Sequence, residues 1–233
     1  VYYQSESKLW SIGVVGGEPQ ELMPAKNVYS WAPSPDGTTL ACWLRNEDGG
    51  KSKNAVWISS PPGASLRKYE PAPFEVTGRQ APNYVRFSPD GSKIGVSINT
   101  EEGPRFWVLD WPDGPKAGQR RPFLEEDFYR PPAFDWLHDS RHVVLALRGS
   151  LWLGDTKTGT LRSILPPPLG TGPDEPSVSP DGLRIVFSER NFDLDIVAVP
   201  VDGTQPRPYL STSKYEYSPS WSGSGDRMAY ITD

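Results

Sequence analysis

The sequence predicts an all-β protein, a β-propeller of four-stranded antiparallel blades. Three observations carry that expectation. The tetrapeptide Ser-Pro-Asp-Gly occurs three times, as Ser34-Pro35-Asp36-Gly37, Ser88-Pro89-Asp90-Gly91 and Ser179-Pro180-Asp181-Gly182, with worn copies at Trp136-Leu137-His138-Asp139-Ser140 and Trp221-Ser222-Gly223-Ser224-Gly225-Asp226. The matching positions Asp36, Asp90, Asp139, Asp181 and Ser224 lie 54, 49, 42 and 43 residues apart, and a period of roughly 40–50 residues marks a repeat architecture. Short apolar or alternating runs flank each copy, and 26 prolines and 22 glycines in 233 residues supply the turns that many short strands need.

The second unit, residues 77–126, shows the plan. Tyr84-Val85-Arg86-Phe87 reads as a short first strand. In the turn that follows, proline presets φ, the Asp side chain accepts backbone amides ahead of it, and glycine tolerates φ > 0. Residues 93–98 alternate apolar and small or polar positions, as a second strand does. Residues 99–104 read as a polar loop and 106–109 as a third strand. Residues 121–124 read as a short fourth strand, whose Pro122 suits only an edge.

The other units follow the same order. The first blade, residues 24–76, is expected to place strands at 29–31, 39–44, 55–58 and 66–69, with an insertion loop at 46–54. The third blade, residues 127–168, places them at 134–136, 143–147, 151–153 and 161–164. The fourth, residues 169–212, places them at 177–178, 184–188, 195–199 and 208–210. Residues 1–23 supply strands without a Ser-Pro-Asp-Gly unit, and residues 213–233 supply a first and second strand and stop. An open terminal blade would expose strand edges, so the two ends are expected to share a composite closing blade, giving five blades in a single domain of residues 1–233. Val1-Tyr2-Tyr3-Gln4 and Arg227-Met228-Ala229-Tyr230-Ile231 both resemble a second strand, however. A slice of a six-bladed propeller is therefore the alternative.

This pattern resembles the TolB-like, or PD40, branch of WD40-like propellers. The Ser-Pro-Asp-Gly turns carry the resemblance, with the aromatics before them (Trp31, Phe87). So does a third-strand motif, Lys8-Leu9-Trp10-Ser11-Ile12 followed by Gly16-Gly17-Glu18-Pro19. That motif returns at Ser150-Leu151-Trp152-Leu153 and at Asp195-Ile196-Val197-Ala198-Val199 with Asp202-Gly203. The third unit departs from the pattern at His138-Asp139-Ser140. The resemblance spans essentially the whole chain and is specific for fold. It implies an extracytoplasmic setting, the bacterial periplasm or cell surface. Its functions range over scaffold proteins, receptor-like ectodomains, kinase-attached sensors and the gating propellers of serine peptidases.

Composition narrows the function classes. The formal charge is −5 and the pI about 5.2, which gives no electrostatic reason to expect nucleic acid or an anionic membrane. No apolar run approaches the ~18 residues that span a bilayer, so membrane insertion is not expected. Val1-Tyr2-Tyr3 shows no signal-peptide pattern and reads as the start of a mature or excised piece. The single cysteine, Cys42, lies in the apolar run Leu40-Ala41-Cys42-Trp43-Leu44 and reads as a buried, inert thiol.

No phosphate loop, zinc motif or nucleophile elbow is present, so no catalytic residue, metal ligand or cofactor is expected. Gly223-Ser224-Gly225 replaces a repeat turn. His138 and His142 fall on a turn and the strand after it, where they do not converge as they would on a helix. The repeated Asp residues cap turns, and Asp193 with Asp195 offers too few ligands for Ca²⁺. Glu125-Glu126-Asp127 reads as a solvated loop, and the strand tryptophans as packing between blades.

Function must then come from a surface. In a propeller the segments entering the innermost strands surround the channel mouth. Here they contribute Tyr29, Asn83, Tyr84, Tyr129, Arg130, Glu175, Tyr215, Glu216 and Tyr217, a mixture suited to recognition. The expectation is a monomeric, non-catalytic scaffold or sensor that binds a protein or peptide segment at this mouth. The alternatives are the propeller of a larger prolyl-oligopeptidase-like hydrolase and a carbohydrate- or small-ligand-binding propeller.

Overall fold

The computed structural model describes residues 1–5, 8–24, 28–48, 51–70, 76–77, 84–100, 103–113, 123–124, 131–165, 172–191, 193–212 and 214–232. Among them all regular structure is β-strand, arranged as a five-bladed propeller. An N-terminal sheet holds β1 (Tyr2–Ser5), β2 (Lys8–Ser11) and β3 (Gln20–Pro24). The first blade follows with β4 (Val28–Pro33), β5 (Leu40–Asp48), β6 (Lys51–Ser59), β7 (Arg67–Lys68) and β8 (Val76–Thr77), the last two both pairing with β6. The second blade holds β9 (Tyr84–Phe87), β10 (Lys93–Thr100) and β11 (Gly103–Asp110), and the third β12 (Ala133–Trp136), β13 (His142–Leu147), β14 (Ser150–Asp155) and β15 (Thr160–Leu165). The fourth holds β16 (Pro173–Val178), β17 (Arg184–Asn191), β18 (Asp193–Pro200) and β19 (Arg207–Leu210). A C-terminal pair, β20 (Glu216–Trp221) and β21 (Met228–Thr232), completes the order. Every pairing among the described strands is antiparallel, and all except β6 with β8 join consecutive strands.

The blades stick together because each strand sends alternate side chains to opposite neighbours. Trp43, Val56 and Ile58 of the first blade pack with Val85, Ile94 and Val96 of the second. Phe106 of the second packs with Phe134 and Leu145 of the third, its ring centroid 4.5 Å from that of Phe134. Val144 and Leu151 of the third meet Val178, Ile185 and Phe187 of the fourth. The two chain ends fill the remaining position. Leu9 and Met23 pack on Val28, Leu40 and Cys42 of the first blade, while Trp221 and Met228 pack on Val186, Ile196 and Ala198 of the fourth. Trp43, Phe106, Phe134 and Phe187 are all fully buried, each transfer contributing about 1.5–3 kcal/mol before entropy is charged against it.

The repeated turns form a second set of contacts. In each Ser-Pro-Asp-Gly copy the serine hydroxyl donates to the Asp carboxylate, at 2.5, 2.7 and 2.6 Å for the pairs 34/36, 88/90 and 179/181. The same carboxylates accept the N–H groups of Thr38, Ser92 and Leu183. Gly37, Gly91 and Gly182 hold φ near +70°. The third turn keeps the geometry with other residues: Ser140 takes the left-handed position at φ 54°, and Asp139, lacking a serine at 137, takes His142 Nδ1 at 2.5 Å. Successive turns also touch. The Asp90 N–H donates to Ser140 Oγ at 3.0 Å and Lys93 Nζ to the Ser140 carbonyl at 3.0 Å, while Gly182 and Gly225 lie against His138 and Pro180.

Several expectations are corrected in detail. The 46–54 segment continues β5 and β6 as one hairpin, paired out to Asp48↔Lys51, where the sequence suggested a loop. β10 and β11 likewise extend to Thr100↔Gly103, shortening the expected 99–104 loop. Of the fourth strand expected at 121–124, residues 121–122 lie outside the described residues, and Leu124 forms a bridge with Phe106. Glu125, Glu126 and Asp127 lie outside the described residues.

Candidate functional site

The inner strands β4, β9, β12, β16 and β20 each run into a repeat turn. Their first residues therefore gather on the face opposite the turns, and this is the channel mouth. Three of the five inner strands are bulged there. The register slips between Val28 and Ser30 in β4, between Asp174 and Ser177 in β16, and between Tyr217 and Ser220 in β20. A bulge leaves ladder groups unpaired and re-aims side chains. Glu175 and Ser218 sit in it with φ of 46° and 54°, a left-handed conformation that costs a non-glycine residue about 1 kcal/mol or more. Ser218 Oγ donates to Glu175 Oε2 at 2.7 Å, tying the two bulges together across the blades.

The expected mouth residues fare differently. Tyr29 occupies the β4 bulge and is 42% exposed, and Tyr215 is 46% exposed. Tyr84, Glu175 and Tyr217 are half-buried. Glu216 is buried, and its carboxylate accepts both the Thr212 N–H and the Thr212 hydroxyl, so it braces the entry to β20. Asn83, Tyr129 and Arg130 lie outside the described residues.

Below the mouth the inner strands are laced together by polar contacts that the sequence reading missed. The Val85 N–H donates to Ser30 Oγ at 3.1 Å, and Trp136 Nε1 to the Arg86 carbonyl at 3.3 Å. Asp135 accepts the Val178 N–H from the fourth blade at 2.8 Å and its neighbour Trp136 N–H at 3.0 Å. Arg86 Nη1 donates to the Val85 and Trp31 carbonyls. Burial pushes the Asp135 carboxyl above the usual range, against the pull of the Arg86 charge and the two N–H groups. Arg86 and Asp135 stand at the same place in consecutive repeats, two residues before Ser88 and Leu137. A charged residue at one register position of two apolar strands was the available signal.

Among the described residues, Cys42 is buried and His142 and Arg141 are paired. Cys42 is fully buried, and burial pushes its thiol up to about 12, so it stays protonated. His142 is held by Asp139, and His138 is exposed. Arg141 pairs with Asp155 through two bonds and draws that carboxyl well below its ordinary value. Among the described residues no three His, Cys, Asp or Glu side chains are grouped to hold a metal ion.

Solved structures of the same shape exist. A putative TolB from Agrobacterium tumefaciens is 21% identical, with a TM-score of 0.72 over 93% of this chain and 74% of that one. TolB from Acinetobacter baumannii is 14% identical, with a TM-score of 0.58 over 91% of this chain, which spans 62% of that protein. A chain of a nidogen/laminin complex is 9% identical, with a TM-score of 0.72 over 99% of this chain and 84% of that one. No family model and no curated protein matches the sequence. The likeness is one of fold: the chain has the propeller shape of the TolB structures.

Proposed function

We propose that this chain is a non-catalytic propeller that binds a protein or peptide segment at its channel mouth. The observation that carries the reading is the set of three bulges, in β4, β16 and β20, all opening on one face. The Glu175 N–H is taken by Asp174 Oδ1, and Pro176 and Pro219 have no N–H, so these bulges offer an extended peptide backbone carbonyls as acceptors. The Tyr29 and Tyr217 rings beside them offer rigid, amphipathic contact area at low entropic cost. The left-handed Glu175 and Ser218 hold this geometry before any ligand arrives. Propellers of this shape occur among TolB proteins and in a nidogen/laminin complex, which supports a recognition role.

The test selects peptides from a displayed random library against the purified chain and measures their affinity for variants. Tyr29→Ala with Tyr217→Ala should weaken the selected peptides about tenfold or more, each lost anchor costing ~1–2 kcal/mol. Both side chains are at least partly exposed, so the melting temperature should stay within a degree or two. Unchanged affinity would move the site elsewhere.

A further inference from the structure

One guanidinium beside the channel is only half used. Antiparallel ladders alternate bonded and non-bonded pairs. The Ser34 and Ser88 N–H groups donate across the ladder to the Thr39 and Lys93 carbonyls. Trp31 and Val85, three residues earlier, therefore turn their carbonyls away from the ladder and toward the channel. These are the two carbonyls that accept from Arg86 Nη1, at 3.5 and 3.0 Å. The guanidinium thus lies on the channel side of β4 and β9. Its residue stands two positions, roughly 7 Å, along β9 from Tyr84 at the mouth.

The other edge of the guanidinium is open. Among the described residues nothing accepts from Arg86 Nε or Nη2, and neither nitrogen is sealed from solvent. Asp135 does not fill the fork. Its two oxygens take the Trp136 and Val178 N–H groups. By the same alternation those groups also face the channel, since the adjacent Leu137 and Ser179 carry the ladder bonds. Arg86 and Asp135 feel each other's charge, and burial, which raises the Asp135 carboxyl, works against its neutralising Arg86. Nε and Nη2 present two parallel N–H groups, the spacing that the two oxygens of a carboxylate accept. Arg141 shows this edge in use within the same chain, where its Nε and Nη2 donate to the two oxygens of Asp155.

We propose that Arg86 receives a carboxylate that the bound segment presents down the channel from the mouth. This rests on the reading of the mouth as a peptide site, and it names the chemistry the segment must bring. An Asp or Glu side chain and a free C-terminus offer the same two oxygens, and the test separates them.

The Arg86 Nε–H signal is followed by NMR in the labelled, intact chain while three small probes are titrated in. Acetylglutamate methylamide brings a side-chain carboxylate, acetyl-dialanine a free C-terminus, and acetylglutamine methylamide neither. At least one carboxylate should move the signal along a saturable curve that the glutamine compound does not produce, and the tighter of the two names the source. Arg86→Gln should weaken that probe about tenfold or more, and Arg86→Lys, which keeps the charge without the fork, should weaken it as well. In both variants the indole N–H of Trp136, which donates to the Arg86 carbonyl, reports binding. The unmodified chain decides the matter even if a variant fails to fold: an Arg86 signal that neither carboxylate moves beyond the glutamine compound overturns the proposal. Peptides that lose affinity on Tyr29→Ala with Tyr217→Ala yet bind the Arg86→Gln chain unchanged would also overturn it, and would leave the mouth reading intact. A saturable carboxylate shift in a chain that selects no peptide would do the reverse, keeping Arg86 as a carboxylate site and sinking the mouth reading.

Discussion

At the scale of single residues, the repeat turn is a closed circuit of hydrogen bonds, and its aspartate is the centre. Ser88 Oγ, the Ser92 N–H and the Ser92 hydroxyl all donate to Asp90. Partial burial pushes this carboxyl up, but the Ser88 and Ser92 donors and the Lys93 charge overrule it and bring it down to about 2. Asp36, Asp139, Asp181 and Asp226 are lowered as well. The Ser34, Ser179 and Ser224 hydroxyls lead at three of them, while at Asp139 burial is opposed by His142 and Arg141. A carboxyl lowered by folding contributes stability that is present above its unfolded value, near 3.8, and lost as pH falls through the folded value. The melting temperature should therefore drop steeply between about pH 4 and pH 2. Asp90→Asn keeps an acceptor but no longer titrates, so its drop over that range should be shallower; an identical slope would show that the turns do not control acid stability. Asp135 obeys the opposite logic, since burial raises it. Asp135→Ala leaves the Val178 N–H without its acceptor between two blades. It should cost about 1–3 kcal/mol in denaturant unfolding, and a cost near zero would mean that water replaces the carboxylate.

At the scale of elements, close approach between blades is enforced where no side chain fits. A Cβ on Gly95 of β10 would lie 2.6 Å from the Phe134 ring of the next blade. Gly95→Ala should destabilise the fold by about 1–3 kcal/mol through overpacking, read as a lower denaturant midpoint with an unchanged slope. Phe134→Leu in the same chain should recover part of the loss, and failure to do so would place the strain elsewhere. What the sequence revealed and hid follows from the range of the interactions. The turns were readable because their bonds close within five residues, and the first three strands of each blade because alternation is local. Of the fourth strand expected at 121–124 in the second blade, only Phe123 and Leu124 are described, and Leu124 bridges to Phe106. The 46–54 hairpin was read as a loop because Asn46-Glu47-Asp48-Gly49-Gly50 carries no apolar alternation. Backbone pairing continues it out to Asp48↔Lys51. At the mouth, residue types were guessed from position, but the bulges at Tyr29, Glu175 and Ser218 were not. A slip in register depends on the partner strand, and no composition announces it.

At the scale of the whole molecule, stability should vary around the ring. The first four blades are each gripped on both sides. Val143, Val144 and Leu145 of β13 are fully buried, as are Ile94, Val96 and Ile98 of β10 and Ile185 and Val186 of β17. Hydrogen bonds between inner strands reinforce the seams from the first blade through to β20. Among the described residues the end sheets have such support on one side only. The N-terminal sheet rests on the first blade and the C-terminal pair on the fourth, and most of β21 is exposed. Opening an end therefore uncovers less apolar surface than opening any middle blade, and local opening free energies track that difference. Native-state hydrogen exchange should show amides of β10, β13 and β17 opening only with global unfolding. Those of β1 and β21 should exchange through local openings several kcal/mol cheaper. Protection in β21 equal to that in β13 would show that the C-terminal pair is held as firmly as the middle blades.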